Sequence, residues 1–530
     1  MTSSLLPPRS RKRLDQSIPP LLRPLIRAYV LGYTSTVAPR LLTLILQHVT
    51  RRGRDKGVAT VTQPHDSFIS SLQRIVRGGL ELQRFPTFCA ALVGGTTLLE
   101  VLLSRALSRL WEGQLPTPIL KRQVRSSMTT MYECFIGEAW HQHTALAHIP
   151  THHHLRRPTN LHSTRLSRWL STFVAAWLSL RLLQSKKSDS FSETITINPD
   201  DPQTVKQETV RYAGRTLDLT LFAVTRALDV IVSEAWSRRG QRRVATSQWT
   251  WVESLISKLA DPTIFATSSA LIMWAWFYSP SQLPKTYTKW INSAAAVDSR
   301  LIEALRRFHK GELRYGEETG QAPLLQSMCV DYKWPPAWGD PAKSIPFPCE
   351  IVHMGCGPSC EYHALSRFYR SFKWSMMTYL PLNLLARKKN LEGFRTALLS
   401  AARSSSFLAV FITLFYYGVC LARTRFGPHI VGKDTQSRQI IDGGVCVGTG
   451  CFLCGWSVLV EKAARRKELA LFVAPRAMAT LLPRRYSLDK QWRETLVFAF
   501  STAVVFTSVK ENRGSVHGMF GKFLVAVLEP

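Results

Sequence analysis

The runs that most restrict this chain are its uncharged ones. "TIFATSSALIMWAWFY" (263–278), "SSSFLAVFITLFYYGVCLA" (404–422), "GGVCVGTGCFLCGWSVLV" (443–460) and "TLVFAFSTAVVFTSV" (495–509) contain no Asp, Glu, Lys or Arg. "PTFCAALVGGTTLLEVLLS" (86–104) contains one acid, and "LSTFVAAWLSLRLL" (170–183) is shorter. A helix needs about 20 apolar residues to cross a hydrocarbon core, and the longer of these runs approach that length. A soluble helical protein would have to bury all of them. The pattern predicts an all-α polytopic membrane protein, its near-zero mean hydropathy reflecting long polar connectors.

The charge balance says what such a protein meets at its surface. In 530 residues, 68 Lys+Arg face 36 Asp+Glu, a formal +32, and such an excess attracts polyanions. Basic runs (Arg51-Arg52-Gly53-Arg54, Lys186-Lys187, Arg238-Arg239, Arg387-Lys388-Lys389, Arg465-Arg466-Lys467) lie beside apolar segments, as helix flanks facing anionic lipid headgroups do. No zinc-finger spacing, aromatic RNA-binding motif or basic zipper is present to convert the charge into nucleic-acid readout. Membrane lipids are therefore the expected partners, nucleic acid is not, and a membrane-protein partner or a second copy stays open. Basic residues flank helices on both sides, so charge does not orient the protein. The first twenty residues read as a basic, proline-interrupted tail without a secretory signal.

Internal repetition organises the rest. "RTLDLTLFAVTRAL" (215–228) lies over "RRKELALFVAPRAM" (465–478) without a gap, matching Leu221-Phe222 to Leu471-Phe472 and Arg226-Ala227 to Arg476-Ala477. Residues 85–99, 172–177 and 265–270 align in the same order with 394–408, 451–456 and 498–503. The expected organisation is a tail (1–20), a first helical repeat (21–300) with polar insertions at 111–165 and 185–213, a Cys-rich connector (301–364) and a second repeat (365–530). Each repeat would hold a bundle of about four transmembrane helices, and the insertion at 185–213 reads as a disordered loop.

Several motifs invite chemistry. Arg226 and Arg476 occupy equivalent apolar settings, where an ionisable residue costs about 2.5–3.5 kcal/mol to insert and so faces a partner or a wet cavity. The alternative is an interfacial helix whose arginines snorkel. Gly444 and Gly448, then Cys451 and Gly455, are small residues four apart, the spacing that lets membrane helices approach closely. Cys451 and Cys454 also form a Cys-x-x-Cys, but a cysteine in such a helix behaves as a small apolar residue. His148, His152 and His153 resemble one histidine box of the membrane desaturases, whose di-iron chemistry needs several. No phosphate-binding loop, nucleophile elbow or dinucleotide fingerprint is found, so no catalytic residue and no cofactor is assigned, and the chain reads as a non-enzyme.

"CEIVHMGCGPSCEYH" (349–363) is the densest polar cluster. Cys349, His353, Cys356, Cys360 and His363 are zinc-ligand types, and four would suffice for a tetrahedral site, although the spacing fits no common finger. A Cys356–Cys360 disulfide and a reduced, packed segment are the other readings, so no metal is assigned. The cluster has no counterpart ahead of the first repeat, which marks it as an addition at the seam and favours a structural staple.

With Ser359-Cys360, Phe368, Phe372 and Tyr379-Leu380-Pro381 following, this stretch resembles the Cys-rich domain of the transmembrane protein 135 family. The second half, with Asp442, Gly444, Gly448 and Gly455 and then "ELALFVAPRAM", is similar to the wider family of four-helix inner-membrane translocase subunits and small peroxisomal membrane proteins. The resemblance implies a polytopic protein of peroxisomes or mitochondria, tied to organelle dynamics and lipid homeostasis, with no catalytic residues to carry over. A transporter or translocase-like pore between the repeats is the alternative.

Overall fold

The computed structural model describes residues 19–54, 68–113, 161–186, 191–197, 206–385 and 390–528. The histidine-rich stretch with His148, His152 and His153 lies outside them. The chain is predominantly helical and divides into two compact units.

The smaller unit takes its described residues from Arg9–Lys186, Phe498–Arg513 and Leu524–Pro530. It contains α1 (Arg23–Arg54), α2 (Phe68–Gly79), α3 (Phe85–Gly113) and α4 (Leu161–Gln184). Small residues set the spacing of α1, α3 and α4. A Cβ on Gly32 would stand 2.9 Å from the Pro86 Cα, and one on Gly95 would stand 3.1 Å from the Ala175 methyl. Ser167, Ser171, Thr172 and Ser179 are buried in α4, and each donates to a carbonyl three or four residues back. Their hydroxyls are thereby satisfied without any partner outside the helix. Glu100 on α3 pairs with Arg168 at 3.0 Å and with Lys510.

The larger unit comprises Lys187–Val497 with Gly514–Phe523. It opens on strands β1 (Ser192–Ile197) and β2 (Lys206–Ala213), followed by α5 (Leu217–Ala245), α6 (Trp251–Tyr278), α7 (Lys285–Ala295), α8 (Ser299–Lys310) and α9 (Ala322–Asp331). Then come the one-turn α10 (Cys349–His353), α11 (Cys360–Leu385), α12 (Leu391–Leu421), α13 (Gly427–Ile430), α14 (Thr435–Ile440), α15 (Cys446–Cys454) and α16 (Ala463–Thr480). The two-residue β3 (Tyr486–Ser487) precedes α17 (Gln491–Glu511) and α18 (Gly518–Leu528). The last two helices are divided, with Phe498–Arg513 and the residues from Leu524 onward assigned to the smaller unit.

Two expectations change here. The insertion at 185–213 is not wholly a loop: β1 and β2 pair antiparallel, Ser192 opposite Arg211 and Ile197 opposite Lys206, and β2 continues onto β3. The alternating Thr and Ile of "SETITI" suit a pleated strand, and its polar surroundings hid that signal. The all-α reading therefore holds for the bulk of the chain beside one small sheet. Among the described residues, three helical stretches are long and apolar enough to cross a membrane: Phe85–Leu107, Leu391–Ile430 and Thr435–Val460. These three do not by themselves make two bundles of four. The uncharged runs 263–278 and 495–509 belong to α6 and α17, which also carry Glu253, Lys258 and Asp261, and Arg493, Glu494, Lys510 and Glu511.

The core of the larger unit joins α6, α12 and α15 through Ile272, Trp276, Phe415, Val419, Val447 and Cys451. A second cluster around Phe308, Leu325, Met328 and Ile351 gives the connector its own apolar centre. Asp298 caps α8, accepting from the Arg300 amide at 2.9 Å and pairing with its guanidinium at 2.8 Å. The Arg300 hydrogen bond holds the Asp298 carboxyl below its usual value. Such a group stabilises the fold above its unfolded pKa of about 4, and that contribution is lost as pH falls through the depressed folded value. Asp298→Ala is expected to cost about 1 kcal/mol at neutral pH and much less in acid. Urea titrations at both pH values check this, and an equal cost at both would contradict it.

Candidate metal centre

Pro348 starts the single turn α10, which places Cys349 and His353 four residues apart on one helix face. Met354, Gly355 and Gly357 then adopt positive φ of 51°, 85° and 79°, a left-handed run that glycine makes accessible. This bend returns the chain so that Cys360 begins α11 beside α10. The ligand atoms of Cys349, His353 and Cys360 all lie within 4.8 Å of one another.

His353 is fully buried and oriented. Its Nδ1 donates to the Gly357 carbonyl at 2.7 Å, leaving Nε2 as the acceptor that faces the Cys420 thiol at 3.4 Å. Burial lowers the His353 pKa, which keeps the imidazole neutral. Burial likewise pushes the Cys349 thiol up, while the nearby Arg423 guanidinium works against the rise. Cys420, near the end of α12, is buried and interacts electrostatically with both Cys360 and Cys349.

The structure divides the five candidates of this stretch. Cys349, His353 and Cys360 converge. Cys356 turns to the Ser366 hydroxyl at 3.7 Å. His363 stacks on His353 with ring centroids 4.5 Å apart, both its ring nitrogens buried without a hydrogen-bond partner. Burial first, then His353 and the Arg367 and Arg370 cations, bring its pKa down to about 3. Cys420 joins the group from a segment where its neighbours, "FYYGVCLA", give a cysteine the look of apolar filling.

A second buried polar group adjoins the first. The two stretches Leu391–Ile430 and Thr435–Val460 each contain a π-helical turn, Ala422–Phe426 and Ile441–Val445. One carries Arg423 and the other Asp442. The Asp442 carboxylate accepts from Arg423 Nε at 2.6 Å and Nη2 at 3.0 Å, and from the Tyr315 hydroxyl at 2.6 Å. Arg423 also donates to the Phe347 carbonyl at 3.1 Å, and the Phe347 amide donates to the Tyr315 oxygen at 3.3 Å. Burial, with the Asp442 carboxylate second, pushes the Tyr315 phenol up, so it remains a donor. π-helical turns frequently accompany functional positions because they re-aim side chains out of the regular helix.

The remaining candidates lie apart. The Arg226 guanidinium stacks 5.2 Å from both Phe222 and Phe520, and that of Arg476 lies 3.9 Å from Phe472. Each arginine thus covers the phenylalanine four residues before it. Carboxylates on α5 pair elsewhere, Asp229 with Lys467 at 2.9 Å and Asp218 with Arg484 at 3.2 Å. A Cβ on Gly455 would stand 2.4 Å from the Ala266 Cα, so this glycine admits α6 to backbone contact. Gly444 and Gly448 have ordinary clearance, with Trp274 at 3.6 and 3.7 Å. On α15 itself, a Cβ on Gly450 would stand 2.8 Å from the Phe415 carbonyl oxygen, and one on Gly418 would stand 3.0 Å from the Gly450 Cα. Cys451 is buried in the core, and the Cys454 thiol donates to the Cys451 carbonyl at 3.3 Å. Comparison with protein-family models, with curated proteins and with solved structures finds no match to this chain.

Proposed function

We propose that this chain is a non-enzymatic integral membrane protein of peroxisomes or mitochondria, a member of the transmembrane protein 135 family that acts in organelle membrane dynamics or lipid homeostasis. In this reading two related helical bundles sit in the bilayer and the basic flanks meet anionic headgroups. The observation that carries the membrane placement is apolar surface left uncovered on the candidate spans. Leu102 is 61% exposed, Leu399 60%, Ile430 79% and Phe452 64%, and water-facing surface of this kind on long apolar helices calls for lipid. The organelle and the role rest on the sequence resemblance. The test is alkaline carbonate extraction of the tagged full chain, with imaging against peroxisomal and mitochondrial markers. Retention in the pellet and coincidence with one marker are expected. Release into the supernatant, or coincidence with neither, would reject the reading.

A transporter or translocase-like pore between the repeats is favoured by one observation, the buried Arg423–Asp442 pair inside two candidate spans, because such residues often mark a path for ions or substrates. Liposomes loaded with a self-quenched dye and reconstituted with the purified chain separate the two. Leakage supports a pore, and sealed vesicles support the first reading.

A further inference from the structure

We propose that Cys349, His353, Cys360 and Cys420 form a structural zinc site of three sulfurs and one nitrogen. Tetrahedral zinc with Zn–S of about 2.3 Å and Zn–N of about 2.0–2.1 Å spaces its ligand atoms about 3.5–3.8 Å apart. The 3.4 Å between Cys420 Sγ and His353 Nε2 falls just short of that spacing, and the other three, within 4.8 Å of one another, extend somewhat beyond it, so modest side-chain adjustments would bring the four together. Cys420 thus meets the trio through His353, and it interacts electrostatically with Cys360 and Cys349 as well.

Three further features favour a metal over a mere thiol cluster. The His353 Nδ1–H is committed to the Gly357 carbonyl, the outer contact by which metal-binding histidines fix their tautomer and aim the other nitrogen. Thiolate-rich tetrahedral sets select zinc among the available divalent ions. Three thiolates around Zn²⁺ leave one negative charge, and the Arg423 guanidinium lies close enough to act on the Cys349 sulfur. Four protein ligands leave no open position for substrate, so the role is structural: the ion ties α10 and α11 of the connector to the end of α12.

The experiment uses the full-length chain purified in mild detergent without chelator. Elemental analysis is expected to find about one zinc per chain, reduced at least tenfold in Cys420→Ser and unchanged in Cys356→Ser. X-ray absorption on the unmutated protein gives a readout that does not depend on any variant folding. Three sulfurs and one nitrogen are expected around zinc, whereas a two-sulfur shell would remove Cys420 from the site. The proposal is overturned if the protein carries iron or no metal, if Cys420→Ser retains its zinc, or if mass spectrometry of the unreduced chain finds a Cys349–Cys360 disulfide.

Discussion

Asp442→Leu is expected to destabilise the detergent-solubilised chain by about 3–5 kcal/mol, the usual cost of stranding one member of a buried ion pair. Arg423 and Asp442 are 7% and 4% exposed as side chains. Removing the carboxylate strips two acceptors from the guanidinium and one from the Tyr315 hydroxyl, while the positive charge stays in its dry setting. The double variant Asp442→Leu with Arg423→Met is expected to recover most of the loss, because a well-packed apolar pair of similar volume is often neutral or better. Thermal and denaturant unfolding of the single and double variants measure this. A single-variant cost below about 1 kcal/mol, or a double variant no better than the single, would mean that the pair is not the locking element its geometry indicates.

The second large effect concerns backbone contact. Gly455→Val should cost about 3 kcal/mol, at the upper end of ordinary overpacking, because the new side chain would enter space held by the Ala266 backbone, which cannot rotate aside. Gly448→Ala, with Trp274 at 3.7 Å, is expected to change stability by less than about 0.5 kcal/mol, as substitutions outside tightly packed features generally do. The two sites lie seven residues apart and have the same composition rule behind them, so measuring both separates true interhelical contact from glycine content. Equal costs at both positions would discredit the contact.

That contrast also shows what can be read from residues alone. Small residues four apart announce a helix that packs closely, but not which turn meets which neighbour; Gly455 against Ala266 and Gly450 against Gly418 depend on tertiary geometry. The uncharged runs at 404–422 and 443–460 were legible because lipid-compatible helices need length and apolarity. The π-helical turns that aim Arg423 at Asp442 left no such pattern. The candidate metal centre was half legible for the same reason. Cys349, His353 and Cys360 lie within twelve residues and stand out as a cluster, whereas Cys420 lies sixty residues beyond Cys360 in an apolar helix. The stacking of Arg226 on Phe222 and of Arg476 on Phe472 is what a four-residue helical offset permits.

The division of the last helices between the two units has a consequence for the order in which the protein can be completed. Glu100 meets Arg168 soon after it is made, but its other partner, Lys510, lies 410 residues later in the chain. At a synthesis rate of about 5–20 residues per second, that interval is about 20–80 s. The helices α3 and α4 are thus made well before the segment that completes their unit. Throughout that wait, α3 and α4 must persist without the segment 498–513 of their unit, and a ribosome stalled before residue 498 would leave that unit incomplete.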